Sequence, residues 1–137
     1  NSDTLTIATR SGNIKIDSAS SKDTRISANS GDVSLGDVVT DNVDLKTSSG
    51  NITSGSIKAK RINGRASSGD VMIRDCDASE INIMTKSGDV SIGIGSEMKY
   101  EYTTKTSSGD VNVPDSVKGA DGKCNIETSS GDIDVTQ

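Results

Sequence analysis

A chain of 137 residues that is 30% hydrophobic, with Tyr100 and Tyr102 as its only aromatics, lacks the bulk a conventional two-layer core requires. Its net charge of −5 and scattered Lys and Arg speak against a nucleic-acid partner or an anionic membrane surface. It has no histidine, which removes the usual catalytic triads and histidine metal sites, and no apolar run long enough for a transmembrane helix.

The chain opens at Asn1 close to the strand-like Leu5-Thr6-Ile7, as expected of a segment taken from a longer protein. Five residues later comes Ser11-Gly12-Asn13-Ile14, the first instance of a phrase that organises everything after it. It returns around Gly31, Gly50, Gly69, Gly88, Gly109 and Gly131, fullest as Ser-Ser-Gly-Asp-Val, with steps of 19, 19, 19, 19, 21 and 22 residues. A fixed period of this size marks a repeat architecture and outranks local propensity.

Two and four residues after each glycine stand Ile14/Ile16, Val33/Leu35, Ile52/Ser54, Val71/Ile73, Val90/Ile92, Val111/Val113 and Ile133/Val135. This alternation predicts a short strand with one buried face. Seven and five residues before each glycine stand Leu5/Ile7, Thr24/Ile26, Val43/Leu45, Ile62/Gly64, Ile81/Ile83, Tyr102/Thr104 and Cys124/Ile126. They predict a second strand, with Arg25, Asp44, Asn63, Asn82 and Asn125 outward. Each repeat thus carries two strands, joined by Ser-Gly-Asp on one side and a longer loop on the other.

Stacked repeats place like residues over like in parallel sheets, with right-handed connections. The fold class expected is all-β: a right-handed parallel β-solenoid of six to seven turns of ~19 residues, one domain over 1–137. Its interior needs only a few Val and Ile per turn, each worth roughly 1.5–3 kcal/mol when buried. The longer steps fall around Gly93–Tyr100 and Pro114–Lys123, and the first, glycine-rich one is expected to bulge outward.

Glycine fits a tight corner at positive φ, and the flanking Ser and Asp/Asn can bond local backbone groups as Asx- and Ser-turns do. The residues after the glycines (Asn13, Asp32, Asn51, Asp70, Asp89, Asp110 and Asp132) could be read as a calcium ladder, but the Gly-Gly-x-Gly-x-Asp nonapeptide of calcium β-rolls does not occur. Turn-capping is the better reading. An ice-binding face is disfavoured because Arg10 and Lys86 interrupt the serine column.

Cys76 and Cys124 sit on different turns and sides of the corner, which predicts small buried hydrophobes and no disulfide. Ser96-Glu97-Met98-Lys99 matches Ser-x-x-Lys without its partner motifs. Gly93-Ile94-Gly95 lacks the rest of a phosphate-binding loop, and Asn51-Ile52-Thr53 is a formal glycosylation sequon. No catalytic, cofactor-binding or metal-binding residue is assigned, and no cofactor is expected.

The phrase Lys105-Thr106-Ser107-Ser108-Gly109-Asp110-Val111 resembles that of a bacterial family of unknown function, described as adhesins by analogy. The similarity spans roughly Leu5 to Val135. It implies a right-handed β-solenoid in envelope or cell-surface proteins and provides no site residues, so the step from fold to function is associational. The function expected is a non-enzymatic surface or envelope module, an adhesin or interaction scaffold whose partner is a surface protein or glycan. It would make no direct membrane insertion and bind no nucleic acid. A self-assembling scaffold joined through open solenoid ends is the first alternative. A β-helix carbohydrate-active enzyme is the second, weakened by the near absence of aromatic platforms.

Overall fold

The computed structural model describes residues 2–94, 99–114 and 117–136. Within them the alternating β-branched and polar residues form eleven strands in one sheet system. These are β1 (Ser2–Ser11), β2 (Ile14–Ser30), β3 (Val33–Val39), β4 (Asn42–Ser49), β5 (Ile52–Ser68) and β6 (Val71–Ser87). The remainder are β7 (Val90–Ile94), β8 (Tyr100–Ser108), β9 (Val111–Asn112), β10 (Gly122–Ser130) and β11 (Ile133–Thr136). The strand pairings are parallel, and their registers join residues nineteen apart over the first five coils. The chain is a β-solenoid of about seven coils, each named below by its corner glycine.

The interior is built as the spacing predicts. Val33, Ile52, Val71 and Val90 lie one above another, as do Val43, Ile62 and Ile81, all essentially without solvent exposure. Ala28, Thr47, Ala66, Thr85 and Thr128 fill the narrow corner behind the glycines. Ser54 takes an inward place between Leu35 and Ile73, and its hydroxyl has no hydrogen-bond partner among the described residues.

Two expectations are corrected. The side assigned to longer loops stays in the ladder: β2, β5 and β6 each run 17 residues without a break. Its inward column is Ala19, Val38, Ile57 and Cys76, continued by Ile94 after a register shift. The inward residues there lie seven and nine past the glycine, as Val38/Thr40, Ile57/Ala59 and Cys76/Ala78, one residue out of phase with the alternation counted near the glycine.

Second, the coils do not stack in chain order. β6 pairs with β10, and β10 with β8; β7 pairs with β11, and β11 with β9. The last coil, that of Gly131, therefore lies between those of Gly88 and Gly109. The long steps of 21 and 22 residues have a physical reason. One connection carries the chain over a vacant level, and the next brings it back to fill that level.

The expected outward bulge falls on residues 95–98, which lie outside the described residues; Ile94 before them and Tyr100 after them are buried. The Tyr100 hydroxyl donates to the Ala78 carbonyl at 2.5 Å, across the level occupied by Gly122. A Cβ on Gly122 would meet the Tyr100 ring at 2.5 Å, so only glycine leaves room for this crossing.

Candidate functional site

The corner ladder is the most regular polar feature. All seven phrase glycines have φ between +120° and +144°, where a Cβ is strained. From Gly31 onward a Cβ would also overlap the carbonyl of the glycine in the preceding level. The residue after each glycine does not close an Asx-turn on its own segment, as the sequence suggests. Its Oδ1 accepts the backbone N–H of the equivalent residue one level on. The bonds run Asn13 to Asp32 to Asn51 to Asp70 to Asp89 at 2.9 Å each, then to Asp132 at 2.9 Å and Asp110 at 2.8 Å. Each level so satisfies an amide of the next, work that Asn performs as well as Asp. Among the described residues no group of three or more His, Cys, Asp or Glu side chains is placed to hold a metal ion.

The two cysteines are buried and unbridged. Burial pushes both thiols up to about 12, helped at Cys76 by the nearby Cys124, Asp77 and Asp75. Protonated, inaccessible thiols are structural apolar groups rather than nucleophiles. Desolvation likewise raises the Tyr102 phenol to about 12. Asn51 of the sequon is exposed and stands in the corner ladder. Ser96, Glu97 and Met98 of the Ser-x-x-Lys match lie outside the described residues.

A second feature emerges only in three dimensions. On the outer face of β4, β5, β6 and β10 a groove of about 540 Å³ runs across the coils, floored by Gly64 and Ile83. One wall is the column Asp44, Asn63, Asn82, Asn125; the other is Lys46, Arg65, Met84, Glu127. Gly64 stands in the inward column, and the space its Cβ would take is held by an Ile83 methyl 2.9 Å away. The amides form a chain: Asn125 Nδ2 donates to Asn82 Oδ1 at 2.9 Å, and Asn82 Nδ2 to Asn63 Oδ1 at 3.3 Å and Glu80 Oε1 at 3.0 Å. Glu80 also meets Arg61 at 3.4 Å.

The sequence shows these asparagines as outward-facing, but not that three are contiguous. Chain order would put Thr103 beside Asn82; insertion of the Gly131 coil puts Asn125 there instead. Chemically the groove offers amide donors and acceptors at the inter-strand interval of ~4.8 Å, with charges of both signs along its walls. It suits an extended polar partner, and Met84, 43% exposed, adds one apolar contact.

A family model described as Toastrack DUF4097, a domain of unknown function, matches residues 1–137. The chain belongs to the Toastrack DUF4097 family. No curated protein and no solved structure matches it. Toastrack domains are solenoids, in agreement with the coils described here.

Proposed function

We propose that this Toastrack domain is a non-enzymatic interaction module of the bacterial cell surface or envelope. In this reading it acts as an adhesin-type scaffold, holding a surface protein or glycan strand along the outer groove. The observation that carries the reading is the chain of amides Asn63, Asn82 and Asn125, set one per coil on a rigid parallel sheet. Rigid sheet platforms bind without an ordering cost of their own, so modest polar contacts can produce measurable affinity.

The experiment is a glycan array combined with a polysaccharide depolymerisation assay on the purified chain. Binding without turnover is expected, and Asn82→Ala with Asn125→Ala should weaken it by about tenfold, the loss of one or two net hydrogen bonds. Their thermal midpoint should barely move, because both side chains lie on the outer face. Turnover of any polysaccharide would replace this reading with the enzymatic one.

A further inference from the structure

The coil order leaves two unlike ends. Among the described residues β1 pairs only with β2 at the near end, and at the far end β8 pairs only with β10 and β9 only with β11. At both ends the inward column is incompletely covered: Ile7 and Ile16 at one, Val113 and the 42%-exposed Val111 at the other. The loop after β9 touches the far edge at its start, where Val117 N–H donates to the Tyr100 carbonyl. Beyond that point no pairing strand covers β8 from Thr103 to Ser108 among the described residues.

We propose that these ends join head to tail between copies of this chain, the Gly109 coil of one against the Gly12 coil of the next. The bonding at each internal corner dictates the match. One glycine N–H donates to the serine carbonyl of the following level, as Gly131 does to Ser108 at 2.9 Å. The residue two beyond the glycine donates to the Asp or Asn carbonyl, as Ile133 does to Asp110 at 2.8 Å. An Oδ1 accepts the next amide, as Asp132 does from Asp110 at 2.8 Å. At the far end this pattern leaves Gly109 N–H and Val111 N–H as donors and Asp110 Oδ1 as acceptor. The near end presents their complements: the Ser11 and Asn13 carbonyls and the Asn13 N–H.

Threonine behaviour agrees with this. Thr85, Thr128 and Thr106 each direct their hydroxyl to the glycine carbonyl of the preceding level at 3.4 Å. Thr106 also bonds its own Ser108 carbonyl at 3.2 Å, and Thr9, with no preceding level among the described residues, keeps only the matching bond to Ser11 at 3.2 Å. The joint would give it the Gly109 carbonyl.

Charge fits as well. In the same register Arg10 meets Ser107, Lys15 meets Asn112 and Ala8 meets Lys105, so no like charges face each other. Asn13 against Asp110 ends a run of four stacked aspartates, Asp70, Asp89, Asp132 and Asp110, with a neutral amide. Apolar ladders continue too, Ile14 over Val111 and Ile16 over Val113. Because the joined surfaces differ, the contact is heterologous and propagates as an open filament. This surface is separate from the outer groove, so either can fail without the other.

The test is sedimentation of the chain from about 1 µM to 1 mM, the range of weak specific contacts. Average mass should rise with concentration, and Val111→Lys should raise the concentration needed by about tenfold or more, by burying an unpaired charge. Register is read by mixing an Ala8→Cys protein with a Lys105→Cys protein under mild oxidation. These should cross-link, whereas Arg10→Cys with Lys105→Cys, two residues out of step, should not. A monomer at every concentration overturns the proposal. So does association that persists unchanged in Val111→Lys, or cross-links equally in both mixtures.

Discussion

The first five coils and the last two obey the same local rules yet assemble differently. From Gly12 to Gly88 each turn lies on the one before, tied by registers of nineteen residues. The Gly131 and Gly109 coils are exchanged, and single fittings hold them there: Tyr100 reaching Ala78, and Gly122 giving it room. The difference teaches that a repeated corner phrase encodes register but not order. Any coil ending in Ser-Gly-Asp can stack on any other, and connector length with one-off side-chain fits selects the neighbour.

The largest expected effect falls in the regular region. Gly69→Val adds a Cβ both at φ +140° and onto the Gly50 carbonyl. It should cost roughly 3 kcal/mol or more from strain and overpacking together. Ser91→Val, outward on a neighbouring coil, should change stability by under about 1 kcal/mol. Chemical denaturation of the two proteins decides it; equal losses would remove the corner from its central place.

The thiols compare the regions next. Both titrate near 12 when folded, against an ordinary value of 9.0. The unfolded chain therefore gives up these protons first, and the thiols' contribution to stability should be constant below about pH 8 and fall between pH 9 and 12. Replacing both cysteines with alanine should remove the fall that begins near pH 9, leaving the part that Tyr102 contributes between about pH 10 and 12. At neutral pH a thiol reagent should label Cys124, in the inserted coil, faster than Cys76, because the exchanged coils open as a smaller unit. Faster labelling of Cys76 would reverse the comparison.

Gly122→Val should cost about 2 kcal/mol by crowding the Tyr100 ring. Hydrogen exchange should quicken over 100–136 while the earlier coils stay protected. Tyr100→Phe, leaving the Ala78 carbonyl without its donor, should cost about 1 kcal/mol with the same distribution. The smallest change is a gain: Ser54→Ala removes a buried hydroxyl with no partner and should stabilise by up to about 1 kcal/mol. A loss there would mean that Ser54 fills space its hydroxyl alone can occupy.

Much of the fold is legible in the sequence because glycine spacing and Val/Ile alternation are local signals. The corner, the inward columns at Val33 and Val43 and the unbridged cysteines all follow from counting. The column at Val38, Ile57 and Cys76 escapes because the alternation slips by one residue beyond the fourth position past the glycine, so counting on from Val33 and Leu35 points to Asp37 and Val39 instead. The exchange of the last coils escapes because Asp110 and Asp132 sit in equivalent phrases, and nothing in either says which meets Asp89. The groove inherits that ambiguity, since Asn125 joins Asn63 and Asn82 only through the exchange. Family membership names the solenoid and leaves its partner to be found by binding.

The most direct measurement uses paired cysteines on the outer face, in a background lacking Cys76 and Cys124. Asp134 pairs with Ser91 across adjacent levels, whereas Asn112 lies beyond Asp134, two levels from Ser91. The Ser91→Cys/Asp134→Cys protein should therefore oxidise to an intramolecular disulfide, its Cα atoms one strand spacing of ~4.8 Å apart. The Ser91→Cys/Asn112→Cys protein, at twice that spacing, should not. Ready closure of the second pair and failure of the first would show coils stacked in chain order and contradict the account.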